Sequence, residues 1–452
     1  MQDSTEHLES LATRPLIQVP GPNPIVRRGK EREWDGRCIE GGDIFKDYHE
    51  GQEVYYLYYH GVGNDKDRWP GIYRIGVAIA TQPLGPFDKV PQNPILDLGP
   101  KGSWDDINVA CPCIMKQGPG KYIMWYWGSG TPQKSGGGCV GLATAPHPLG
   151  PWHKYEGNPL IKDFGYLGSV VLVNGKYYMY NEYPIGCTAP DYGPLCVATA
   201  TDPYGPWEPW ESNPVLAPTG WGAWDDGGYS EAKVVHREGL FHVFYGGAKQ
   251  HPTRMRTLES IGYAFSHDGY HFRKHLHNPV ALHERNPGAS AFAEVQCLFE
   301  PPLIYLYHTL RYLASEDPGA EDLGVQVLAT SVPFKINMPV LRTSALLAGT
   351  MSELALCPPM SLDHVRTLAL TVRCAYDRDA SAPLRVHVRA SDDGLTYDTA
   401  DWHVFDIEVS PGHTAQKTVD VSASPRFVKV LLENLDPRCS ARDLAATATI
   451  GG

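Results

Sequence analysis

Three carboxylic residues stand at the same place in recurring contexts. Asp43 lies twelve residues before Tyr55, Glu231 ten before Phe241 and Glu294 eleven before Tyr305. Each precedes an apolar run and then an aromatic-rich segment. Two carboxyl groups in one pocket are what acid–base cleavage of a glycosidic bond requires. One protonates the leaving oxygen, and the other activates water or attacks carbon. Crowding carboxylates raises the pKa of one of them and so creates the acid. Any one of these residues alone reads more readily as an ordinary polar strand end. Their shared register is what argues for chemistry.

Other residues could surround such a pair. Trp104-Asp105-Asp106 and Trp224-Asp225-Asp226 precede two of the apolar runs. A tryptophan there is either a flat platform for a sugar face or a packing residue. Asp106 and Asp226 are candidate ligands for substrate hydroxyls. Arg254 and Arg256 in GAKQHPTRMRTLES, and Arg311 shortly after His308, would suit a carboxylate or sulfate on a sugar, or be a solvated loop. Cys111 and Cys113 form a C-x-C with no second pair at zinc spacing. No metal and no cofactor is expected.

The elements that would position these residues follow from internal repeats. Asn-Pro followed by an aliphatic residue starts at Asn23, Asn93, Asn158, Asn213 and Asn278, at intervals of 70, 65, 55 and 65 residues. Between them the order is constant. An apolar run (ACPCIM, GSVVLV) is followed by an aromatic run (VYYLYYHG, YIMWYWG) and a small aliphatic run (VGLATA, CVATAT). A turn such as TDPYGPW then leads into a short fourth strand. Four short strands per unit predict an all-β chain and a five-bladed β-propeller over residues 15–338, after an N-terminal extension of residues 1–14. Leu16–Val19 is a candidate for the strand that closes the ring. The Trp-Asp pairs precede first strands, unlike those of WD40 blades, and the repeats are too long for that family. Residues 339–452 switch to plain alternation (ALTVRCAY, LRVHVRAS) with Asp-Gly and Pro-Gly turns, which predicts a C-terminal antiparallel β-sandwich.

Composition sets outer bounds. The net charge is −12, with acid spread along the chain, so nucleic acid is not an expected partner. No apolar stretch reaches the roughly 18 residues of a membrane span. The N-terminus lacks the pattern of a secretion signal, which predicts a cytoplasmic protein. The C-terminal region either braces the propeller, forms a homo-oligomer contact or binds carbohydrate.

Five blades with acids at the starts of inner strands resemble the five-bladed glycoside hydrolases, above all family 43 and relatives such as families 32, 62, 117 and 130. The resemblance covers roughly residues 15–338. It implies that Asp43 in GGDIFKDYHE is the general base and Glu231 in SEAKVVHREG the general acid. The family's third acid, on blade three, is replaced by Leu167 in GYLGSVVLV, so Asp105, Asp106 or Glu294 takes that role or the chemistry differs. His308 loosely resembles a fifth-blade histidine of the family. The resulting expectation is an exo-acting, inverting glycosidase acting on an oligosaccharide, which Arg254 and Arg256 would make anionic. A glycoside phosphorylase and a non-catalytic sugar-binding propeller are the alternatives.

Overall fold

The computed structural model describes residues 14–70, 72–131, 138–182, 193–249, 258–312 and 320–452. The chain is all-β. After β1 (Ile17–Pro20) comes an antiparallel meander of β2 (Cys38–His49), β3 (Gln52–Val62), β4 (Arg74–Ala80) and β5 (Asp88–Lys89). The next meander is β6 (Asn108–Gly118), β7 (Lys121–Ser129), β8 (Cys139–Ala145) and β9 (His153–Lys154), with β10 (Ile161–Lys162) on the other end of β8. It is followed by β11 (Tyr166–Val173), β12 (Lys176–Glu182), β13 (Leu195–Ala200) and β14 (Glu208–Pro209). Then come β15 (Gly228–Tyr229) and β16 (Lys233–Arg237), both paired with β17 (Leu240–Lys249), and β18 (Leu258–Ser266) with β19 (Arg273–Lys274). The last meander has β20 (Ala289–Glu300), β21 (Leu303–Tyr312) and β22 (Glu321–Ala329). Its fourth strand is β1, which pairs antiparallel with β22 from Ile17↔Ala329 to Pro20↔Gln326.

The recurring Asn-Pro has a physical job. Each asparagine side chain accepts from the N–H of one third-strand residue and donates to its C=O, completing a bridge that the proline nitrogen cannot make. Asn93 does this to Val77, Asn158 to Leu142, Asn213 to Val197 and Asn278 to Tyr263, at 2.8–3.0 Å. Asn23 does it to Val325 of the last meander. The chain start is thus clamped to β22 twice, by strand pairing and by this side chain.

The second strands are buried nearly throughout, which explains their aromatic content. Tyr58, Tyr126, Tyr180 and Tyr245 are all inaccessible to solvent. The Trp-Asp pairs belong to this packing. Trp34 stacks on Tyr59, Trp104 on Tyr126 and Trp224 on Tyr245, at 5.5–6.0 Å between centroids. The adjoining Asp35, Asp105 and Asp225 each accept from a tyrosine hydroxyl and pair with Lys89, Lys154 and Lys274 at 2.5–2.7 Å.

Residues 335–451 form two four-stranded antiparallel sheets. One orders β23 (Lys335–Leu346), β30 (Ala441–Gly451), β25 (Thr367–Ala375) and β28 (Thr414–Val421). The other orders β24 (Met360–Ser361), β29 (Phe427–Asn434), β26 (Leu384–Ser391) and β27 (His403–Ile407). β23 runs across the expected boundary at residue 339. One continuous apolar core joins Leu370, Val430 and Ile450 of these sheets to Val19, Leu57 and Val327 of the meanders.

Candidate active site

The first strands of four meanders break register near their starts. Bulges fall between Gly41 and Asp43, Ala110 and Cys113, Leu167 and Ser169, and Ala293 and Gln296. The fourth meander breaks instead between Tyr229 and Lys233. A bulge adds one unpaired residue and re-aims the side chains beside it. Two bulge residues, Cys111 (φ +49°) and Glu294 (φ +47°), hold left-handed backbones without being glycine. Such strain persists only where surrounding structure over-determines it, and it clusters at functional sites. Neighbouring meanders also touch here, through the parallel bridges Cys38↔Glu321, Ala232↔Val295 and Glu259↔Ala291.

This belt gathers six carboxylates: Glu40, Glu182, Glu231, Glu259, Glu294 and Glu321. Arg311 holds three of them, with Nη1 to Glu259 at 2.7 Å, Nη2 to Glu294 at 3.0 Å and Nε to Glu321 at 2.9 Å. Glu231 accepts from the Cys111 thiol at 3.2 Å. The Cys111 N–H points at His60 Nδ1, 3.4 Å away, and His60 Nε2 lies 3.0 Å from Glu40. His60 thus stands between the Cys111 amide and Glu40. Tyr73 also donates to Glu40, at 2.8 Å. Glu40 and Glu231 are therefore joined through one histidine and one cysteine.

The environments push these acids apart. Burial opposes ionisation of Glu40, yet the hydrogen bond from His60, with His60, Arg311 and Tyr73 adding to it, brings its pKa down to about 2. Burial raises Glu231 above the usual carboxylate range, with His60 and the Cys111 thiol opposing. Burial raises Glu294 strongly against the pull of Arg311, and Glu40 and Glu231 add to the rise. Glu182 is raised strongly by burial and by the charge of Glu231. Its Oε1 and the Oε2 of Glu294 find no hydrogen-bond partner among the described residues. Buried carboxylate oxygens left so are costly unless they meet a proton or a ligand.

Asp43 lies past the Gly42 bulge, and the expected base is engaged elsewhere. It ion-pairs with Lys233 and accepts from the Ile114 N–H at 2.7 Å. Burial opposes a charged Lys233, but Asp43 keeps the lysine's pKa above its ordinary value. Asp43 and Lys233 are thus a buried cross-link between the first and fourth meanders. Glu294 and Arg311 do belong to the belt. His308 does not: it is fully buried against Phe292 at 4.3 Å and Gln326 at 3.4 Å, and burial lowers its pKa to about 4. Trp104 and Trp224 each have a ring face covered by tyrosine, which makes them packing residues rather than platforms on that face. Asp106 caps loop amides of Gly102 and Thr131 at 2.6–2.7 Å, and Asp226 that of Gly222 at 2.9 Å. Arg254 and Arg256 lie outside the described residues. Cys38, Glu40 and Glu321 offer donor atoms within 4.8 Å of one another, a geometry that fits a metal ion. Arg311 and His60 already engage the two carboxylates.

The sequence reading missed Glu40, Glu182, Glu259 and Glu321. Glu182 ends the second strand in YYMYNEY, and Glu259 and Glu321 begin third strands, whereas the reading searched first strands only. The third-meander position itself is apolar, since Leu167 is buried core.

The fold is similar to that of solved glycoside hydrolases. A complex of BT0996 with RGII matches with TM-score 0.52 and 14% identity, over 72% of this protein and 95% of that one. A glycoside hydrolase matches with TM-score 0.50 and 13% identity, over 72% and 95%. A family 130 hydrolase that targets β-1,2-mannosidic linkages in Candida mannan matches with TM-score 0.49 and 15% identity, over 69% and 94%. No protein-family model and no curated protein sequence matches the chain.

Proposed function

We propose that the chain is a glycoside hydrolase built on a five-bladed propeller, with a C-terminal β-sandwich that begins with β23 at Lys335. Glu231 is its proton donor and Glu40 its ionised carboxylate. One observation carries this reading. Two acids of one belt sit in opposed environments: Glu40 meets His60 and Tyr73, which lower its pKa against burial, whereas Glu231 is buried against the Cys111 thiol and burial raises its own. Carboxylates with separated pKa values are the mark of an acid and a base sharing a site. Glu40 also keeps 13% of its side chain exposed, against 0–6% for Glu259, Glu294 and Glu321, which suits a base that must reach water. Burial keeps Glu231 protonated, and the charge of Glu40 adds to the effect. An oligosaccharide is the substrate. Exo attack with inversion belongs to the same proposal, with Glu40 activating the water.

The most exposed aromatic among the described residues is Trp221, 87% exposed between Gly220 and Gly222 in the loop leading to the fourth meander, where it can stack on sugar. Trp221→Ala is expected to raise KM severalfold with little change in kcat, read on whichever oligosaccharide a panel identifies.

Glu231→Gln tests the reading. Turnover of aryl glycosides or oligosaccharides should fall by about 10²–10⁴, the usual worth of a general acid, while calorimetric sugar binding persists. A variant that keeps most of its activity removes Glu231 from the role. Sugar binding by a wild-type protein that turns over nothing in the panel supports a binding propeller instead. The configuration of the first-formed product, followed by NMR, tests inversion.

A further inference from the structure

A cleft lies on the opposite face of the strands that carry Arg311 and Glu321. On β21, Arg311 reaches the acid belt while Leu310 and Tyr312 line the cleft. On β22, Glu321 faces the belt while Asp322 lines the cleft. Side chains alternate across a strand, so one hairpin separates the two sites. The cleft holds about 500 Å³, between the chain start, the last meander and the C-terminal sheets.

Three cations line it: Arg27, Arg28 and Lys429. The bridge between Val26 and Leu323 brings the arginines in beside β22. Neither guanidinium has an ion-pair partner among the described residues. Asp322 also lines the cleft, where its Oδ1 accepts the Arg28 N–H at 2.7 Å and its Oδ2 the Tyr312 hydroxyl at 3.1 Å. Lys429 rests over the Tyr397 ring and, among the described residues, hydrogen-bonds the Leu354 carbonyl at 3.4 Å. Burial lowers its pKa, and Arg27 lowers it further. Among the described residues three cations converge here around one acid, Asp322, in a chain of net charge −12.

We infer that this cleft is an anion-binding site, taking a carboxylate or other oxyanion through Arg27, Arg28 and Lys429. The bound group belongs either to an acidic sugar or to free phosphate. Arginine suits both by its forked donors, and a neighbouring anion would favour the charged form of Lys429. The inference stands whether or not the acid belt cleaves a glycoside.

Calorimetric titration of the full chain with D-glucuronate, inorganic phosphate and neutral glucose decides it. Saturable binding of an anion that weakens with added salt is expected, with none for glucose. Binding of glucuronate alone assigns a sugar acid, and binding of phosphate as well assigns free oxyanions. Arg27→Ala with Lys429→Ala should weaken that binding at least tenfold. Arg27 is exposed, so Arg27→Gln alone gives a variant whose folding is not at risk, and it should weaken binding in the same direction. Binding of neither anion, or equal binding by Arg27→Gln and wild type at equal melting temperature, overturns the inference.

Discussion

Cys111 shows how much one residue decides in the belt. Its thiol is buried, which pushes its pKa far up and keeps it a donor to Glu231. Loss of that donor removes a bond that favours ionised Glu231. Cys111→Ala should therefore move the alkaline limb of the pH–rate profile upward, and Cys111→Ser, a better donor, should move it downward. A hydrogen bond of about 1 kcal/mol corresponds to several tenths of a pH unit in that limb. A purely packing role would lower kcat without moving the limb. The pH dependence of stability has two signs. Glu40, depressed to about 2, contributes stability present above the ordinary carboxylate range and lost as pH falls through about 2. Glu182, Glu231 and Glu294 are raised, so their contribution is full at low pH and is lost as pH rises through their elevated values. Melting temperature followed from pH 3 to pH 9 should thus decline on the alkaline side. Glu231 was legible from its spacing. Glu40 was not, because the extra residue at Gly42 shifts the strand's parity, and a bulge leaves no mark in residue spacing.

At the scale of elements, the repeats were legible because each carries physical punctuation. The Asn-Pro pairs that marked the units in sequence are the residues that clamp the third strands. Asn278→Ala should cost about 1–3 kcal/mol, since it strands the buried N–H of Tyr263, whose C=O keeps the His275 N–H at 2.8 Å. Chemical denaturation with an unchanged m-value would check this, and Asn213→Ala should behave alike at Val197. The Trp-Asp pairs were legible as a pattern but not as a function. Only the tyrosine hydroxyl and the fourth-strand lysine that meet each aspartate show that they are one packing cluster repeated three times. The acids at the ends of second and third strands were hidden because strand ends do not announce which neighbour they will face.

For the whole molecule, the strand expected at Leu16–Val19 forms as β1, at Ile17–Pro20, and covers the edge of β22. Deleting residues 1–20 should expose that edge, lower the melting temperature and shift the protein toward larger species on gel filtration. The same closure sets a schedule during synthesis. Val19 leaves the ribosome early, yet its partner Val327 follows about 300 residues later. At 5–20 residues per second that delay is roughly 15–60 s. For that interval the first strand is an unpaired β-segment in a nascent chain, and its protection depends on whatever shields emerging polypeptide until the last meander arrives to receive it.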